Sequence, residues 1–246
     1  MPDPAEKKQI MPASEDTLHD LVVANHILAH EEVVDAYGHI SFRHPENPDH
    51  YLLSRARAPE LIETEDIVEY RLDGEAIDAR DRRPYSERMI HGAIYEHRPD
   101  VNVVIHNHSH EVIPFASTGT PLRPVTHTCA PIGLEIPVWD MRDRFGETNH
   151  LVVTMEQGLD LAKTLGGRSI ALMKRHGCVV TGPTVEETVM KAIYLQVNAK
   201  LQLQTMQLGT PDFLTEKEIE ECTAMQQAPI SLDRAWEVWC RRAERK

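Results

Sequence analysis

The chain has 246 residues, 41% of them hydrophobic, enough to bury one sizeable core. Its 26 lysines and arginines stand against 39 aspartates and glutamates, and the formal net charge of −13 argues against broad contact with nucleic acid or an anionic membrane face. A small-molecule partner is expected. No apolar run approaches the roughly 20 residues of a membrane span, and the opening MPDPAEKKQIMPASED lacks the basic and apolar regions of a signal peptide, so a cytoplasmic protein is expected. Cys129, Cys178, Cys222 and Cys240 have no CxxC spacing, which predicts reduced thiols rather than disulfides or a zinc ribbon.

In chain order, residues 1–13 read as a flexible arm and 14–246 as one domain without repeats or a linker. Ser14 can cap a helix running to about His30, with Leu18, Leu21, Val22, Ile27 and Leu28 near one face. Strands are predicted at HISFRH (39–44) and YLLS (51–54), and IVEYRLDGEAI (67–77) carries a hairpin signal at Asp73-Gly74. SERMIHGAIYEHRPD then predicts a helix capped by Ser86, with Met89, Ile90, Ala93 and Ile94 at helical spacing and a stop at Pro99. The strand VNVVIH follows, and Ser109 can cap a short helix over HEVIPF. A helix over about 155–166 leads to a strand pair, SIALMKRHGCVVTG, folded at His176-Gly177; a long helix from Thr184 to about Gln207 and a tail helix after Thr215 complete the chain. This irregular alternation predicts an α/β fold, a three-layer sandwich around a central, mostly antiparallel sheet.

The candidate chemistry lies in the histidines. Residues two apart on a strand share a face, so His106 and His108 can reach one ion from a rigid support. A His-x-His pair by itself also suits the polar lip of a buried strand. His176 strengthens the metal reading, because an exposed tight turn more usually carries Asn-Gly or Asp-Gly than His-Gly. Glu87, expected in the first turn of its helix, could add an oxygen or could serve only the helix dipole. Three imidazoles and a carboxylate suit Zn²⁺ or Mn²⁺ with a position left for substrate.

The succession YGHIS (37–41), SERMIHGAIYEHRPDVNVVIHNHS (86–109) and LMKRHGCVVTG (172–182) before a long helix resembles the class II aldolase/adducin family over nearly the whole chain. The resemblance implies that His106, His108 and His176 bind a divalent ion, that Glu87 ligates it or carries protons, and that the protein is a homo-oligomer, commonly a tetramer with sites between subunits. Adducin-type members lack the metal histidines, whereas all three are present here. Sugar-phosphate aldolases of the family hold phosphate with small-residue loops of the GN.S, TPSG and SSE type. At those places this chain reads GHIS, LLSRARAP and YSER, bringing in His39, Arg55 and Arg57. Arginine is a fork for carboxylates. The pattern is similar to the branch of metal-dependent decarboxylases that act on hydroxylated aromatic or pyridine dicarboxylates. It implies a carbon–carbon lyase that holds the substrate's oxygen pair on the ion and stabilises an enolate as CO₂ leaves. The alternatives are an aldolase or epimerase of a sugar derivative and a non-catalytic adducin-like module.

Within that reading Glu87 is the candidate acid with Tyr194 behind it, although Tyr194 also falls in an apolar stripe with Val189, Ile193 and Val197. His39, Arg55, Arg57 and Arg123 are the candidate substrate contacts. His110, at a helix start, and His127, in RPVTHTCAP, read as structural or exposed, and Arg142 and Arg144 as surface pairs. Trp236 and Trp239 fall on a short terminal helix able to pack on its own core or on a neighbour.

Overall fold

The computed structural model describes residues 13–244, so the arm expected over 1–13 lies, apart from Ala13, outside the described residues. Fifteen elements follow in order: α1 (Glu15–His30), β1 (His39–Arg43), β2 (His50–Ser54), β3 (Ile67–Arg71), α2 (Met89–His97), β4 (Val103–Asn107), α3 (Ile113–Thr118), β5 (Val138–Trp139), α4 (Arg142–Phe145), α5 (Met155–Leu165), β6 (Ile170–Met173), β7 (Gly177–Gly182), α6 (Val185–Leu208), α7 (Glu216–Gln226) and α8 (Pro229–Ala243). The strands form one seven-stranded sheet ordered β3-β2-β1-β4-β7-β6-β5. Every neighbouring pair is antiparallel except β5 with β6. This is the α/β sandwich around a mostly antiparallel sheet that the sequence predicts.

The layers follow from strand alternation. Ile105 and Val180 enter one core with Leu21, Ile27, Leu28, Val189 and Ile193 of α1 and α6. Their chain neighbours Val104 and Val179 enter the other, against Ile90 and Ile94 of α2 and Leu161 and Leu165 of α5. A central strand covered on both faces is expected to be mostly apolar, and all five residues of β4 are buried, Val103, Val104 and Ile105 in the cores and His106 and Asn107 at its end. Several ends obey the predicted capping chemistry: Ser14, Thr154, Thr184 and Thr215 each accept from the backbone N–H three residues on.

Other local expectations need correction. Ser86 does not cap α2, which begins at Met89 with no side-chain cap. Ser109 does not cap α3 with its hydroxyl, which points to Glu111; its backbone carbonyl receives Val112 and Ile113 instead. The Asp73-Gly74 turn forms, with Gly74 at φ 79°, but the returning segment pairs through a single bridge, Tyr70 to Ala76. The short strand β5 carries too little pattern to be read from sequence.

Register places the catalytic candidates. His39 pairs with His106, Asn107 with Cys178, and Met173 with Gly177. The start of β1, the ends of β4 and β6 and the start of β7 therefore share one end of the sheet. The β6–β7 connection is the three-residue loop Lys174–His176, with its left-handed residue at Arg175 (φ 64°), not the two-residue His-Gly turn expected. Gly177 has a different reason: a Cβ there would lie 2.0 Å from the Asn107 carbonyl oxygen and 3.1 Å from His108 Cδ2. Gly177→Ala should push β7 off β4, destabilising the protein by at least the roughly 1–3 kcal/mol of ordinary overpacking. It should also weaken divalent-ion binding, both effects being read from melting curves with and without added ion.

Candidate metal centre

Four side chains converge at that end of the sheet: one ligand atom each from Glu87, His106, His108 and His176 lies within 4.8 Å of every other. His108 Nε2 is 3.0 Å from His106 Nε2 and 3.0 Å from His176 Nε2. Glu87 offers Oε2 at 3.7 Å from His106 Nε2 and Oε1 at 3.6 Å from His176 Nε2. His106 Nδ1 donates to the Cys178 carbonyl at 3.0 Å, which leaves Nε2 as a bare lone pair when the ring is neutral. With that tautomer, no assignment of protons to neutral imidazoles satisfies both 3.0 Å contacts of His108 Nε2. A protonated His108 Nε2 can serve one neighbour, and a bare one leaves two lone pairs opposed. A cation resolves the conflict, so the donor set fits a divalent ion of the Zn²⁺ or Mn²⁺ type.

The surroundings prepare these donors. Burial pushes the His106 and His108 imidazoles below their ordinary value, so both are neutral and free to ligate. For Glu87, burial acts to raise the carboxyl. The adjoining His176 and His106 imidazoles and the Val152 amide outweigh it and hold the group well below the usual carboxylate range. Val152 N–H reaches Glu87 Oε1 at 2.9 Å. Glu87 is buried and precedes α2, where the sequence expects it inside the first turn. Its carboxylate is therefore aimed at the histidines and not spent on the helix end.

The candidate substrate contacts divide. His39 is buried beside the cluster, its ring 5.2 Å from that of His106 and 4.6 Å from that of Tyr85. Arg55 and Arg57, just beyond β2, both pair with Asp66; Arg57 reaches it at 2.6 Å and also reaches Glu63 at 3.1 Å. Only Nε of Arg55 is engaged, so its two terminal nitrogens have no partner among the described residues. Tyr85 donates to the Arg57 carbonyl, which ties this loop to the ring packed on His39.

Two candidates are not brought to the cluster. Tyr194 packs edge-on against Trp239 of α8 at 6.5 Å, so the core role of its helical stripe prevails. Arg123 lies over the Phe213 ring at 4.8 Å and lines a separate cleft with Glu135 and Arg168. His110 is exposed and does not join the ligands, although it lines a cavity of about 340 Å³ with His108, Ser109, Glu111 and Asp35. His127 is exposed at the start of a 3-10 turn, and Arg144 pairs with Glu156 and Asp160 at the surface.

Residues 19–203 match the family model for the class II aldolase and adducin N-terminal domain. The chain belongs to this family. It is 34% identical over 243 residues to the decarboxylase tropJ of Talaromyces stipitatus, with 89% of this chain and 91% of that one covered. It is 29% identical to a 3,4-dihydroxyphthalate decarboxylase of Arthrobacter keyseri, over 77% of this chain and 78% of that one. A solved aldolase II superfamily protein from Pseudomonas syringae superposes with a TM-score of 0.80 at 21% identity, covering 96% and 95% of the two chains, and so shares the fold.

Within this aldolase/adducin chain, sequence reasoning missed the groups behind the ligands. His91, Ser41 and Tyr95 are buried polar residues, and Asp66 is the shared partner of the two arginines. A signal existed for two of them. Ser41 follows His39 by two residues and so shares its face, and His91 follows Glu87 by four at helical spacing.

Proposed function

We propose that this family member is a divalent-metal-dependent, non-oxidative decarboxylase of a hydroxylated aromatic acid. The observation that carries the reading is the convergence of three imidazole Nε2 atoms and one ionised carboxylate whose proton bookkeeping calls for a cation. The names of the relatives at 34% and 29% identity favour carboxylate loss over aldol cleavage.

His106, His108, His176 and Glu87 would hold the ion, which supplies a Lewis acid for the substrate oxygen beside the breaking carbon–carbon bond. The chain's own groups then divide the remaining work. Arg55, with two unpartnered guanidinium nitrogens, would orient a carboxylate; Arg57, held by Asp66 and Glu63, braces the loop. His39 would donate to a substrate oxygen at the edge of the centre. Glu87 is a carboxylate at neutral pH, so it enters as ligand and base at Oε2 and not as the resting acid that the sequence suggests. Proton delivery to the ring carbon then falls to water held beside that oxygen.

The test loads the purified protein with Mn²⁺ or Zn²⁺, counts bound ion, and measures CO₂ release from a panel of hydroxybenzoates and hydroxyphthalates alongside cleavage of sugar phosphates. EDTA-sensitive CO₂ release is expected. Aldehyde formation from a sugar phosphate without CO₂ release would overturn the reading in favour of an aldolase, and indifference to EDTA in favour of an interaction module.

A further inference from the structure

Behind the metal centre a line of buried polar groups runs from β1 into α2. His39 Nδ1 is 2.6 Å from His91 Nε2, His91 Nδ1 is 2.6 Å from Ser41 Oγ, and Ser41 Oγ is 2.8 Å from the Tyr95 hydroxyl. The Tyr95 hydroxyl also lies 2.9 Å from the Ser41 carbonyl oxygen and 3.3 Å from that of Asn102. All four residues are sealed, with exposures of 3% for His39, 0% for His91 and Ser41 and 1% for Tyr95. The other ring nitrogen of His39, Nε2, has no partner among the described residues and is not among the sealed polar atoms.

We propose that His91 and Ser41 are positioning residues that fix the ring and tautomer of His39, so that a neutral Nε2–H faces an anionic substrate at the metal centre. The inference rests on the decarboxylase reading for the charge of that substrate. It follows from counting donors along the line. The Tyr95 hydroxyl has one proton to give, either to Ser41 Oγ or to the carbonyl oxygens of Ser41 and Asn102. That choice sets the direction of the whole line. If Tyr95 donates to Ser41 Oγ, Ser41 donates to His91 Nδ1, His91 donates from Nε2 to His39 Nδ1, and the His39 proton sits on Nε2. If Tyr95 donates to a carbonyl, Ser41 donates to Tyr95, every bond reverses and His39 presents a bare lone pair.

Both arrangements satisfy the buried groups, but only the first offers a donor outward. A carboxylate or phenolate oxygen beside Nε2 selects it, since a lone pair facing an anion is repelled in a site of low polarity. Burial pushes His91 down to about 3, so it stays neutral and passes on orientation without adding charge. The Tyr51 ring beside His91, at 6.3 Å, and Tyr85 against His39, at 4.6 Å, limit ring rotation. The line thus resembles the carboxylate or carbonyl partners that orient ligating histidines, applied here to a substrate-facing one.

The deciding experiments are nitrogen-15 NMR of the histidine side chains in the metal-loaded protein with bound salicylate, and steady-state kinetics of three variants. His39 is expected as the neutral Nε2–H tautomer in the wild type and as a mixture in Ser41→Ala. Ser41→Ala and His91→Leu should lose roughly 10–100-fold in kcat, the range for groups that orient a site through another residue, with bound metal retained. His91→Gln, whose amide N–H can take the place of Nε2–H, should restore most of that loss. A wild-type His39 protonated on Nδ1 would overturn the proposal, as would unchanged kcat in Ser41→Ala. So would a His91→Leu loss matched by equal loss of bound metal, which would mark a purely structural role. A wild-type protein that decarboxylates none of the acids defeats the function reading, and the NMR tautomer then decides this proposal separately.

Discussion

Replacing His106 with alanine is expected to strip the divalent ion from the protein and to abolish turnover, a larger effect than the roughly 10–100-fold cost of changing a group behind a ligand. His106 is fully buried, and it both contributes an Nε2 lone pair and donates from Nδ1 to the Cys178 carbonyl. Alanine removes both. Loss of that buried hydrogen bond costs about 0.5–1.5 kcal/mol, so the melting temperature should fall as well. His108→Ala should lose the ion with a smaller loss of stability, because His108 is only partly buried. His110→Ala serves as the control: its side chain is exposed and outside the ligand set, so ion and stability should be retained. Metal content by plasma emission and a thermal melt on each variant check the series. Unchanged metal content in His106→Ala would sink the centre as described.

The second large effect is expected from Glu87→Gln. Glutamine has nearly the same shape, and its carbonyl oxygen can still accept the Val152 N–H now held by Glu87 at 2.9 Å. What is lost is charge and basicity. Turnover should fall by about 10²–10⁴-fold, the usual contribution of a positioned acid or base, with the fold retained. Stability supplies an independent readout in the metal-free protein. The folded carboxyl of Glu87 is depressed below its ordinary 4.5, so the unfolded state binds more protons in acid. Its ionised form therefore contributes stability that is fully present above pH 4.5 and is lost as the pH falls through the folded value. Wild type should be more stable than Glu87→Gln near neutrality, and the two should converge in stronger acid. Denaturant midpoints across pH would show it, and parallel curves would mean that the cluster does not hold this carboxylate.

Much of the centre was legible because its determinants are local. The β-branched run before His106 and the strand period set His106 and His108 close together, and His-Gly in a turn between apolar strands marked His176. The layer architecture was legible too, since β4, β7 and the faces of α1 and α5 carry their own patterns. Residues whose environment comes from a distant segment stayed open in the sequence. Arg55 and Arg57 look free in sequence, but Ser54 pairs with Ile67, and that register delivers Asp66 to both guanidinium groups. Tyr194 lay on an ambiguous stripe that Trp239, from a helix folded back over α6, resolves as packing.

The sequence by itself thus determined which donors are available, their spacing along each strand, and the alternation that makes the sheet two-sided. Only the tertiary structure decided which of them meet. Pairing His39 with His106 and Asn107 with Cys178 brings β1, β4 and β7 to a common end, and the approach of β7 is possible because position 177 has no side chain. It also decided which charges are already spoken for and which imidazoles are held neutral. Those properties depend on burial and on partners many residues away, and neither is carried by a local pattern of residues.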